Sequence, residues 1–135
     1  MEDIRAENPG MTKACLEVVR RTGFRPADDM PRCYGMLPAK RWIGLWNKGW
    51  EWTIFCPAPA RECPIESEHG DVWLEFADKA YDGPDLPDGI YEIEFIGRRT
   101  AKAGSFGHLS QYDHAMVVDR VLSITLVQDG EVARK

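Results

Sequence analysis

The run RRTAKAGSFGHLSQYDH, residues 98–114, holds two of the chain's three histidines and three of its cations. Residues of these types can do two kinds of chemistry. Ser105, His108 and Asp113 are the members of a hydrolytic triad, with His114 as a second base. A triad requires a nucleophile on a rigid turn, a base within hydrogen-bond reach and an acid to orient it. No nucleophile elbow or other signature surrounds Ser105, so the triad has little support. Anion recognition is the better fit. Arg98, Arg99 and Lys102 bring charge, the backbone near Gly104 and Gly107 brings amide donors, and His108, Tyr112 and His114 add polar groups. The plainest expectation for the two arginines is pairing with neighbouring acids such as Asp113, Asp119 or Glu94.

A second set is Cys56-x6-Cys63-x5-His69, with Cys33 as a fourth ligand. Cysteine and histidine are the donors of tetrahedral zinc, although paired cysteines usually stand about two to four residues apart in structural sites. The first expectation is that no cofactor is bound, with zinc the alternative that these residue types bring forward. The first residues, MEDIRAENPG, are charged and lack the apolar core of a signal peptide, and no apolar run approaches a membrane span. The expected location is the cytoplasm, where the four cysteines would be free thiols or metal ligands rather than disulfides.

The net charge of −5 conceals an asymmetry. Residues 62–94 hold eleven acids and one base, a net of −10, between mildly basic ends. A chain so arranged is not built for general binding to a nucleic-acid backbone, which needs a basic face. Either the ends neutralise the middle in the fold, or the middle forms an acidic face for a basic partner.

The elements that must position these groups are legible from periodicity. Residues 9–22 read as a helix, with Asn8 as cap, Pro9 in the first turn and Gly23 after the end. Met11, Cys15, Val18 and Val19 form its apolar stripe. Residues 24–40 carry three prolines and read as an irregular connection. Strands are expected at 41–47 and 50–56, joined by a turn at Asn47-Lys48-Gly49, then at 72–77, 89–97 and 115–127. Trp42, Gly44 and Trp46 share one face of the first, and Tyr91, Ile93 and Phe95 one face of the fourth. In the last strand both faces are half apolar, as in a strand that bulges at Asp119-Arg120 and changes partners. The tail 129–135 is expected to fray.

The fold class that follows is α+β, within a single domain over 1–135. One N-terminal helix packs on a strongly bent, mainly antiparallel sheet or small barrel of about five strands, oligonucleotide-binding-like or SH3-like. With no catalytic signature present, the first functional expectation is a non-enzymatic binding or regulatory domain that engages a protein partner through loops and the acidic 62–94 face. The alternative is a small enzyme or ligand-binding barrel that recognises a phosphate- or carboxylate-bearing molecule through the 98–114 loop.

Overall fold

The computed structural model describes residues 11–23, 33–64, 72–104, 106 and 112–129. Helix α1 spans Lys13–Thr22, four residues shorter at its start than the periodicity predicts. The reason is tertiary: Met11 forms an antiparallel bridge with Tyr34, and the Thr12 N–H donates to the Cys33 carbonyl at 2.7 Å. Those bonds hold the chain extended up to Thr12. Its hydroxyl caps the helix by accepting from the Cys15 N–H at 3.2 Å. Asn8 and Pro9 lie outside the described residues. At the other end Gly23 adopts the left-handed region (φ 71°) and its N–H returns to the Val19 carbonyl. The helix turns Cys15, Leu16 and Val19 onto a cluster with Met11, Tyr34, Phe106, Ala115 and Val117.

The strands are β1 (Lys40–Lys48), β2 (Thr53–Pro57), β3 (Val72–Phe76), β4 (Gly89–Arg99) and β5 (Ala115–Asp129). They close in a ring of order β1-β2-β3-β5-β4, β4 returning to β1. Every pairing is antiparallel except β3 with β5. The sheet is therefore mixed, and the helix precedes β1 in the chain, in keeping with an α+β, strand-rich fold. The first hairpin turns later than expected. Lys48 still pairs with Thr53, and Gly49 N–H bonds to the Trp52 carbonyl, so Trp50 sits in the turn at 79% exposure rather than in a strand.

The ring interior is filled by Trp46, Phe55, Leu74, Tyr91, Ile93, Phe95, Met116 and Val118. Strand β4 alternates between buried and more exposed residues from Tyr91 to Gly97, while β5 accommodates three register shifts, each placing one extra residue in β5. The inward set of β5 is therefore Met116, Val118, Val121 and Ile124, opposite Arg99, Gly97, Phe95 and Ile93, while Leu126, opposite Tyr91, is exposed. These bulges explain why neither simple alternation fits the β5 sequence. One falls at Asp119, where the pairing with β3 ends. Gly97 is required at that bend: a Cβ there would stand 2.6 Å from the Val117 carbonyl and 2.7 Å from the Phe95 ring. Among the described residues no helix is long and apolar enough to cross a membrane.

Candidate functional site

The strand registers define two ends of the ring. At one end meet the start of β1, the end of β4 and the start of β5, because Lys40 pairs with Gly97 and Arg99 with Met116. Directly opposed residues of an antiparallel pair share a face, so Arg99 continues the inward series Tyr91, Ile93, Phe95 and Gly97. It stands at the mouth of the ring over Met116, which is fully buried. The Arg99 Nε is buried and has no hydrogen-bond partner among the described residues. On the same inward face, counted back along β1, stand Trp42 and Lys40, whose Nζ lies 4.0 Å from the centroid of the Trp42 ring. Trp42 is fixed by its indole N–H, which donates to the Gly97 carbonyl at 3.2 Å.

His114 precedes β5 and completes the mouth. Its Nδ1 is 2.9 Å from the hydroxyl of Thr100, which is itself buried and accepts from the Ala115 N–H at 3.2 Å. Burial, and next the Arg99 charge, hold His114 below the usual imidazole range; a bond to the Thr100 backbone and the charge of Asp113 offset this in part. The Arg99 guanidinium and the His114 imidazole thus stand within electrostatic reach of each other, and the Lys40 ammonium, on the inward face of β1, lies against the Trp42 ring. Those groups suit a phosphate or carboxylate.

The structure separates the other residues of the 98–114 run. Arg98 points away from the ring interior and binds Asp119 with both branches, Nε to Oδ2 at 2.9 Å and Nη2 to Oδ1 at 2.6 Å. That bond raises the Arg98 pKa further and removes it from the candidate ligand set. Lys102 is exposed in the turn after Thr100. Tyr112 is 2% exposed, its ring 5.8 Å from that of Trp73, in a cluster with Ile54, Cys56 and Cys63; its ring serves packing and not a ligand surface. Ser105 and His108 lie outside the described residues, and Asp113 is exposed. Thr100, Lys40 and Trp42 escape sequence reading. The signal for the last two was the inward parity they share with Trp46.

The zinc set does not assemble. Cys33 is joined by a disulfide to Cys15, and Cys56 to Cys63. Sulfurs in a disulfide are not thiolates and do not ligate zinc in this way. The two bridges also lie in different clusters, one beneath α1 and one behind β2. His69 lies outside the described residues. Among the described residues no group of three or more His, Cys, Asp or Glu side chains is placed to hold a metal ion. The expectation of free thiols is likewise corrected: spacing along the chain could not show that Cα atoms 18 residues apart in sequence come within 4.7 Å.

Several of the described acids of residues 62–94 already have partners. Glu94 pairs with Arg41 at 2.5 Å, Asp88 with Lys48 at 3.4 Å, and Glu75 accepts from the Trp73 indole at 2.7 Å. Asp78, Asp82 and Asp85 remain exposed in the loop between β3 and β4, at the end of the ring opposite Arg99, and make no ion pair with a described residue. Glu66, Glu68 and Asp71 lie outside the described residues. No family model, curated protein or solved structure matches the chain.

Proposed function

We propose that the protein is a small binding domain that holds an anionic group of its ligand, a phosphate or a carboxylate, at the ring mouth formed by Arg99, His114 and Lys40. The observation that carries this reading is Arg99. A cation with a buried and unpartnered nitrogen is costly, and an arriving anion removes that cost. The depression of His114 belongs to the same field: an anion beside it restores the imidazolium and gains a second charged contact. The test is thermal denaturation with increasing inorganic phosphate, pyrophosphate or citrate, since a ligand of the native state raises the melting temperature. The expected result is a rise in the wild type that Arg99→Gln abolishes and Arg98→Gln leaves in place. A wild type indifferent to all three anions sinks the proposal.

A second reading, a protein partner drawn to the acidic part of the chain, is favoured by Asp78, Asp82 and Asp85, left without an ion pair to a described residue at the opposite end. The two disulfides bear on location. Such bonds persist in oxidising surroundings, which favours a setting of that kind over the cytoplasm.

A further inference from the structure

The end of the ring remote from Arg99 carries an open pocket of about 300 Å³ between the β1 and β3 termini and the β3–β4 loop. Its walls are Trp46, Phe76, Tyr81 and Leu86, with Lys48 and Asp85 at the margin. Trp46 and Phe76 lie with ring centroids 4.9 Å apart. The Trp46 indole N–H is already given to the Thr53 hydroxyl at 2.7 Å, so this residue offers the pocket ring surface and no free donor.

The loop over the pocket is tied down at several points. Ala80 is buried, and its carbonyl accepts from the Val121 N–H at 2.9 Å. The Tyr81 hydroxyl donates to the Pro84 carbonyl at 3.0 Å, and the Tyr91 hydroxyl donates to that of Pro87. Lys48, the cation among the described lining residues, is paired with Asp88 at 3.4 Å. A pocket so held is formed before a ligand arrives, which lowers the entropy lost on binding. At the lower limit of small-molecule pocket sizes, it has room for a single long side chain rather than a cofactor.

Three aromatic walls beside exposed carboxylates make a definite chemical preference. Aromatic faces attract a cation through the ring quadrupole, and Asp78, Asp82 and Asp85 set a negative field around the opening that outweighs Lys79. We infer that this pocket receives the lysine or arginine side chain of a basic peptide segment in a partner protein. The inference rests on the second reading above and gives it a specific anchor. Long-range attraction comes from the three aspartates, and short-range recognition comes from Tyr81, Phe76 and the apolar wall of Leu86.

Fluorescence anisotropy with a labelled peptide of alternating lysine and serine tests it, beside the same peptide with norleucine for lysine. The lysine peptide is expected to bind the full chain. Asp82→Asn with Asp85→Asn weakens it several-fold at low salt and little at high salt. Tyr81→Leu and, separately, Leu86→Lys weaken it at least fivefold at both salts, with each variant's fold checked by circular dichroism. If the aspartate variant loses affinity while Tyr81→Leu and Leu86→Lys bind as the wild type does, the pocket is wrong and the acidic-surface reading stands. If no basic peptide binds, both fall. Equal binding of the norleucine peptide, or occupation of the pocket by a second copy seen as a dimer in sedimentation, overturns the cation preference.

Discussion

Arg98 and Arg99 are adjacent in the chain and opposite in circumstance: Arg98 is gripped by both oxygens of Asp119, whereas Arg99 keeps a buried nitrogen with no partner among the described residues. The alternation of β4 separates them. One side chain falls on the outer face, where the β5 bulge presents Asp119, and the other falls at the mouth over Met116. Identical side chains thus acquire different roles, one tying β4 to β5 and one left open for a ligand.

Removing Arg99 should make the empty protein more stable. Arg99→Met replaces a guanidinium whose buried Nε has no partner among the described residues by an apolar chain over a buried methionine, and the expected gain is about 1 kcal/mol in urea denaturation. The same variant should show no stabilisation by phosphate. A loss of stability would mean that Arg99 is a structural residue.

The Arg98–Asp119 pair should behave oppositely. A double-mutant cycle with Arg98→Ala and Asp119→Ala is expected to give a coupling of about 1 kcal/mol, at the upper end for surface pairs because the contact is bidentate. Side-chain exposures of 30% and 28% keep it sensitive to salt. A coupling indistinguishable from zero would show that the geometry contributes nothing to folding.

His114 sets a pH dependence with a defined sign. Its folded pKa lies below the ordinary imidazole value of 6.5, so as pH falls the unfolded chain takes up the proton first. Stability is therefore fully present above about 6.5 and declines as pH drops from there towards the lowered folded value. His114→Gln should be less sensitive to pH across that interval than the wild type. Melting temperatures measured between about pH 8 and 5 read the difference, and parallel curves would remove His114 as its cause.

Asn47 is 1% exposed, and its amide joins two segments: Nδ2 donates to the Cys63 carbonyl at 2.7 Å, and Oδ1 accepts from the Trp52 indole at 2.8 Å. Asn47→Leu leaves these partners without that amide in a buried site, and about 1–3 kcal/mol of stability should be lost. Chemical denaturation provides the number. A change below about 0.5 kcal/mol would mean that the partners find replacements.

The Cys15–Cys33 bridge, 18 residues apart, should contribute about 3 kcal/mol by restricting the unfolded chain, and Cys56–Cys63, seven apart, about 2. Replacing each pair by alanine and comparing unfolding under oxidising conditions measures both. Equal stability of a bridge-free variant and the wild type would show that neither bond contributes.

Much of the architecture was determined locally. Strict alternation in β4, the apolar stripe of α1 and the glycine after it are properties of short stretches, and hydrophobic periodicity reports them without a partner. Even the bulge in β5 was visible as a failure of alternation at Asp119-Arg120. What only the tertiary structure decided was every relation between stretches. Cys15 meets Cys33 because the backbone around Met11 and Tyr34 pairs; the helix begins at Lys13 for the same reason. Ring closure carries Lys40 and Trp42 to the mouth where β4 leaves Arg99 and β5 begins after His114. Periodicity tells a side chain which face of its own strand it occupies. The registers between strands, satisfied only when the ring closes, determine what stands on the other side.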